Sequence, residues 1–566
     1  SLTVPLTLLI ALILAIVATS YRQTIRAYPQ GASSYIVASD NLGVLPGLTA
    51  GAALLIDYVL TVAVSVSAGV AAITSIVPSL FGERVLIAVV IVAVLMIGNL
   101  RGIRESGSIF AAPTYLYIAA LLGVIAVGLA RQFLFGGLGT FEPPPGWLAN
   151  WRAQEAAQAA GGLSLFLILR AFSSGAAALT GVEAISDGVP AFKTPEWRNA
   201  RATLTWAAVI FGTLFLGISY LAQTIGVVPD PSEKQTVLSL ITRQVTGDGP
   251  YLIFVQLTTA LILALAANTS FADFPRLSSF LARDGFMPRQ FAFRGERLAF
   301  TTGIIALSGL AIVLLVAFGA SVSALIPLYT LGVFVAFTLS QAGMVVRWWR
   351  RREPGWRRGL AINGVGALTT AAIALIVAST KFLSGAWLVI VMAPMLIALM
   401  LGIRSHYRSI DAALTLDRIP EGREVAAEPI VIVPIARLDR PARQAIAFAN
   451  SISKHATAVH ITSDPATATA LRDRWPDWAG STELVVVESP YRGLVGPLLA
   501  YMDALQSQDP RRPIVVVLPE FVPRHWWEHL LHNQTALRLK LRLFGRPNTI
   551  VADVPYHLTS ERPRDT

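Results

Sequence analysis

Apolar stretches long enough to cross a lipid bilayer fill the first 403 of 566 residues. Eleven can be read, at roughly 3–20, 47–76, 84–99, 109–130, 163–186, 202–226, 251–271, 301–319, 324–345, 360–380 and 386–403. No other feature limits the fold as tightly. In hydrocarbon every backbone N–H and C=O must be bonded within its own segment or a closed sheet, so runs of this length are helices. Charged residues make up 14% of the chain, against the ~25% of soluble domains, so most of it belongs to a membrane.

The loops sort by charge. Loops 21–46, 100–108, 187–201, 272–300 and 346–359 hold 18 Arg and Lys; the alternate loops hold five, namely Arg131, Arg152, Lys234, Arg243 and Lys381. The basic set is expected in the cytoplasm, with the C-terminus on that side and Ser1 on the other. The net charge of +11 is therefore read as topology and does not imply nucleic acid. An odd number of spans, and a start on Ser directly at an apolar segment, lead us to expect a further span ahead of residue 1.

After Arg404 the composition changes. The expected division is a transporter domain over 1–403, a basic linker over 404–428 and a cytoplasmic α/β domain over 429–566. In the last, short β-rich runs (PIVIVPI, TAVHIT, ELVVVE, PIVVVLPEF, TIVADVP) alternate with helical patterns such as Ala442–Ser453 and Val495–Ser507. That alternation predicts a doubly wound domain around a parallel sheet. The first strand is followed by PIARLDRPARQA, which has no glycine-rich phosphate loop. The domain is read as structural, dimerising or regulatory.

The chain lacks cysteine, which excludes a disulfide framework, a thiolate metal site and a cysteine nucleophile. The seven His show no metal-ligand spacing, and neither a Ser-His-Asp nor a Walker pattern is visible, so no enzyme is read here. What chemistry there is lies inside the apolar part. The stretch GAAALTGVEAISDGVPAFKTP, Gly175 to Pro195, closes the fifth span. Gly175, Gly181 and Gly188 weaken a helix there and Pro190 stops it. Glu183 stands among them, and an acid at membrane depth is costly unless it faces a cavity, a partner or water. Broken helix and buried acid together suggest a binding site in a transporter; a position near a helix end, reaching the interface, is the alternative. Thr180 and Glu183, three apart, share a face.

The second span, LLIDYVLTVAVSVSAG, places Asp57, Thr61 and Ser65 at i, i+4 and i+8 on one helix face. One carboxylate and two hydroxyls in a stripe suit a hard alkali cation, whose lost hydration must be replaced by several oxygens. Such hydroxyls also serve as helix–helix glue. Two buried acids invite a division of labour, with the cation at Asp57 and a proton on Glu183, since burial favours a neutral carboxyl. Tyr329, two residues after Pro327, either closes the site or anchors at the interface.

On these residues the chain resembles a known family. SYRQTIRAYPQGASSYIVA, LLIDYVLTVAVSVSAG, ALTGVEAISDGVPAFKTP and ANTSFADFPRLSSFLARDGFMPRQF look like the amino acid–polyamine–organocation superfamily, and more closely like the KimA-type potassium–proton symporters of the KUP group. The resemblance runs over essentially the whole chain. It implies a LeuT-like all-α bundle of two inverted five-helix repeats plus two helices. The span beginning at Leu2 then corresponds to the second helix, and the bundle lacks its first, which in the family supplies an acid and a Tyr. It implies a potassium pathway at Asp57, Thr61, Ser65, Thr180, Glu183 and Tyr329. It also implies a homodimer joined through the cytoplasmic domains, and inhibition by cyclic di-AMP.

The function expected is secondary-active potassium uptake coupled to protons across a prokaryotic plasma membrane. Two other readings stand beside it: an amino-acid permease of the same fold, and a membrane-anchored sensor signalling through the α/β domain.

Overall fold

The computed structural model describes the chain except residues 1, 30, 32, 102–106, 145–146, 148–164, 294–299, 416–427, 490–492, 523–534 and 558–566. Arg104, Arg152, Arg294 and Arg297, counted above among the loop charges, lie outside the described residues. The chain divides into two compact units, Ser1–Thr415 and Leu416–Thr566.

The first unit is helical. Its elements are α1 (Thr3–Ala27), α2 (Ser34–Leu42), α3 (Val44–Ile76), α4 (Arg84–Leu100), α5 (Gly107–Leu134), α6 (Leu165–Ala176), α7 (Val182–Asp187), α8 (Glu196–Ile225), α9 (Val237–Thr246), α10 (Pro250–Arg283), α11 (Thr301–Ala317), α12 (Val322–Arg351), α13 (Trp356–Lys381) and α14 (Trp387–Leu414). Among the described residues ten helical segments are long and apolar enough to span a bilayer, α6, its break and α7 counting as one; α11 is apolar but shorter. Two of the expected loops hold structure of their own. Loop 21–46 contains α2, and loop 227–250 contains α9, whose N-terminus is capped by Thr236 Oγ1 accepting from Ser239 N at 3.2 Å.

The centre of this unit is α3. Its Leu54, Val59, Val62 and Val66 are buried in one apolar core with Leu281 of α10 and Phe334 and Phe337 of α12. At 33 residues α3 is about 50 Å long, more than the ~30 Å hydrocarbon core requires. Peripheral helices turn large apolar side chains outward, as α4 does with Leu86, Val90, Val94 and Ile97. The last helix, α14, continues through Leu414. The stretch 404–414, expected as the start of a linker, is therefore helix: RSHYRSIDAAL contains neither Gly nor Pro to end it. The rest of that linker, 416–427, falls outside the described residues.

The second unit is a five-stranded parallel sheet in the order β3-β2-β1-β4-β5, with β1 Ile430–Ile435, β2 Thr457–Thr462, β3 Glu483–Glu488, β4 Ile514–Val522 and β5 Thr549–His557. Alternation along the central strands separates two cores. Val431, Val433 and Ile435 of β1 meet α15 (Arg440–Ile452) and α16 (Pro465–Ala479). Ile432, with Ile514, Val516 and Leu518 of β4, meets α17 (Val495–Gln508) and α18 (Thr535–Leu543). Helices on both faces explain why these strands read as near-continuous apolar runs.

Candidate functional site

The fifth span does break, at one place. After α6 a single 3-10 turn, Ala177–Leu179, leads to Thr180 in extended backbone and Gly181 at φ 92°, and α7 begins at Val182. Gly181 is needed for that left-handed turn and not for space, since a Cβ there would meet nothing within 4 Å. Gly175 was expected to weaken the helix with it, but stays helical. Its small size serves packing, because a Cβ there would lie 2.5 Å from Ile10 Cδ1 of α1.

Glu183 sits in the first turn of α7 and is 6% exposed. Its Oε1 accepts from Ser34 N at 2.9 Å and from Ser34 Oγ at 2.6 Å. Ser34 opens α2, so its N–H is one of the donors a helix start leaves unbonded, and the helix dipole there favours an anion. The carboxylate is thus held by a hydroxyl and a backbone amide. Ser34 is a site residue that sequence reasoning misses, because 21–46 reads as a loop between two spans.

Asp57 lies mid-way along α3, with Oδ1 buried and without a hydrogen-bond partner among the described residues. Asp57 and Glu183 lie within each other's field. Tyr329, from α12, brings its hydroxyl to those of Thr61 and Thr180 and into the field of Asp57. It is half-buried against the same central core, so it belongs to the interior and not to an interfacial belt. Thr180 donates its own hydroxyl proton to Ala177 O at 2.9 Å, so towards the Tyr329 hydroxyl its oxygen is an acceptor. Ser65 is buried one further turn along α3, and its place in the group rests on the stripe. The structure therefore brings Asp57, Thr61, Thr180, Glu183 and Tyr329 together across α3, the break and α12. Carboxylate and hydroxyl oxygens in this arrangement can replace the hydration of a small monovalent cation.

One turn beyond Glu183 the chemistry continues. Asp187, the last residue of α7, is 6% exposed. Its Oδ2 accepts from the Tyr58 hydroxyl at 3.0 Å, and its Oδ1 is buried with no partner among the described residues. Its carbonyl accepts from Arg276 Nη1 at 3.0 Å. Asp187, Tyr58, Ser33, Asp273 and Arg276 line a cavity of about 480 Å³. Asp273 lies in the field of both Asp187 and Glu183. Gly31 fits against this wall at φ 81°, where a Cβ would come 2.7 Å from Asp187 O. The signal for these residues was present: Asp187 stands four after Glu183, one turn along the helix, and Asp273 stands in a span rich in hydroxyls.

Comparison with known proteins adds an independent line. Residues 1–402 match the family model described as amino acid permease, and residues 426–556 match that of the KimA potassium transporter C-terminal domain. The chain is 42% identical over 555 residues to the potassium transporter KimA of Bacillus subtilis (strain 168), covering 98% of this chain and 88% of that protein.

Proposed function

This chain belongs to the family of KimA potassium transporters, within the amino acid permeases, and from that premise we propose that it takes up potassium across the plasma membrane coupled to protons. It is a multi-pass membrane transporter and not an enzyme. One observation carries the reading at the level of residues: the interrupted helix holds Thr180 and Glu183 against the Asp57–Thr61 stripe, with the Tyr329 hydroxyl between the two.

In the proposed cycle the cation enters from outside and exchanges water for Asp57, Thr61, Ser65 and Thr180, and Tyr329 covers it. Glu183 carries the proton, which lowers the charge that must be enclosed when the site closes. Its partners suit that role, since a hydroxyl and an amide hold the anion in place without neutralising it as a cation would. A LeuT-like pair of inverted repeats rocks about the site and opens it inward. The cavity at Asp187 and Asp273 then receives the ion on its way to the cytoplasm. An inside-negative potential favours entry by about 2.3 kcal/mol per charge per 100 mV. The distribution of basic loops supports a C-terminal domain on the cytoplasmic side, and in this reading that domain joins two copies into a homodimer.

The test is rubidium uptake by purified protein in vesicles, driven by an inward proton gradient, with labelled amino acids as the competing cargo. Uptake of rubidium that dissipates the proton gradient is expected. Amino-acid uptake in its place, or rubidium flux indifferent to the gradient, would overturn the reading.

A further inference from the structure

Away from the transport site, α1 and α8 leave a groove of about 200 Å³ on the outer face of the bundle. Small residues floor it, Ala11, Ala15 and Ala18 from α1 with Ala208 and Gly212 from α8. Its two threonines are satisfied within their own helices, Thr19 by Ala15 O at 2.6 Å and Thr205 by Arg201 O at 2.8 Å, so the wall is apolar. Leu8, Leu12, Trp206 and Val209 point outward beside it, as lipid-facing residues do. From Ala11 to Arg22 the groove runs about 16 Å, close to half the ~30 Å hydrocarbon core and so to the depth of one leaflet. A second groove, lined by Ala361, Ile362 and Val365 of α13, flanks the other side of α1 and shares Ala15 and Thr19 with the first.

The groove ends on charge. Arg22 lines that end, and Arg201 lies in the field of both Arg22 and Arg26. The Nε atoms of Arg22 and Arg201 are buried and have no hydrogen-bond partner among the described residues. Among those residues no ion pair links any of the three arginines to a carboxylate. Guanidiniums that crowd one another without a counter-charge call for an anion. All three sit at the end of their helices that the loop charges assign to the cytoplasm, where the anionic lipids are.

We propose that α1 and α8 form a binding site for an anionic phospholipid of the inner leaflet. Its phosphate is held by Arg22, Arg26 and Arg201, one acyl chain lies along the Ala11–Gly212 groove, and the second lies across α1 beside Val365. The leaflet follows from the proposed topology. The binding does not depend on what the chain transports, so it is tested without a transport assay.

Native mass spectrometry of the full-length protein in detergent, with equal phosphatidylglycerol and phosphatidylcholine, reads the preference directly. The wild-type chain is expected to retain phosphatidylglycerol about tenfold or more over phosphatidylcholine. The preference is lost in R22Q/R201Q, whereas A208L, which fills the groove and keeps the charges, lowers retention of phosphatidylglycerol itself. Equal retention of the two lipids by the wild type needs no variant to read and overturns the proposal. Displacement of the lipid by inorganic phosphate alone, an unchanged preference in R22Q/R201Q, or an A208L that alters only the oligomeric state would also overturn it. The last outcome would mark the groove as a contact between copies of this chain.

Discussion

Glu183 and Glu520 are both half of a pair of interacting acids, and the two units of this chain treat them in opposite ways. In the C-terminal unit, Glu520 of β4 and Asp553 of β5 share a cation: Lys540 of α18 donates to each at 2.6 Å. Asp503 likewise has Arg546, and Asp439 has Arg437. In the membrane unit, Glu183 is held by Ser34, and Asp187 by Tyr58 with Arg276 in its field but not paired to its carboxylate, while one oxygen each of Asp57 and Asp187 is buried with no partner among the described residues. Ion pairs of that unit lie elsewhere, as Arg84–Glu233 and Arg289–Asp411 do. An acid matched to a cation within the protein has its field cancelled. An acid held by hydroxyls and an amide stays oriented and keeps its charge available to something that arrives from outside. Burial without pairing is expensive, and it persists where an ion or a proton supplies the missing charge in the working cycle.

The largest effect should come from removing that charge. D57N and E183Q are each expected to lower rubidium uptake about 100-fold or more, the scale of losing ~3 kcal/mol of charge-assisted interaction. The two should part on the proton: E183Q is expected to leave residual ion exchange that no longer answers to a pH gradient, and D57N to leave neither. K540M in the other unit should leave the coupling of ion to proton unchanged. If D57N and E183Q transport as wild type does, the contrast between the two units has no functional content.

A smaller effect is expected at Ser34. S34A removes the 2.6 Å hydroxyl bond to Glu183 and leaves the backbone N–H, so part of the support for the anion remains. About a tenfold loss of uptake is expected, the low end of the range for a hydrogen bond to a charged group. N41A, which removes a bond from α2 to Tyr28 away from the site, is the control. Equal losses in both variants would mean that α2 matters as packing and not as the holder of this carboxylate.

G181A comes next. Nothing blocks a Cβ at that position, so the cost is the left-handed backbone alone, about 1–2 kcal/mol. A roughly tenfold fall in uptake is expected with little change in thermal unfolding of the whole chain. A full rescue of uptake by G181N, since Asn tolerates this conformation better than Ala, would confirm that φ is the requirement.

How much of this could be read in the sequence follows from the range of the forces involved. The acid–hydroxyl stripe of α3 and the break before Glu183 were legible because they are local: i, i+4 and i+8 fix a helix face, and a glycine beside a buried acid marks a weak helix. The strands of the second unit were legible for the same reason, as β-branched runs such as IVIVPI and IVVVLPEF have little else to be. Ser34 was not, since its role depends on a chain reversal that brings residue 34 to residue 183. Asp187 carries a local signal, four residues after Glu183, but Tyr58 does not, because its bond to Asp187 spans 129 residues and Tyr58 reads only as an apolar neighbour of Asp57. Gly175 was misjudged because a glycine that breaks a helix and one that admits Ile10 look alike until the neighbour is known.

The smallest expected effect tests the other side of the comparison. In the second unit Asp553 lowers the tendency of Glu520 to ionise, and the lysine opposes it. The Asp553 carboxyl bonded beside Glu520 raises the latter's pKa, with burial adding to it and Lys540 opposing. The two carboxylates in turn raise Lys540 above the ordinary lysine range, against the burial that would lower it. Stability from a raised lysine is fully present below the ordinary value and is lost as pH rises through the raised one. K540M should therefore lower the unfolding free energy of the C-terminal unit by about 1 kcal/mol at neutral pH, discounted for a site that water reaches. The difference from wild type should shrink in high salt and vanish only in strong alkali. In acid it should shrink as well, because Glu520, its pKa raised, then takes up a proton and no longer needs the ammonium. A K540M that is as stable as wild type at pH 7 would show that the second unit leaves its acids as open as the first does.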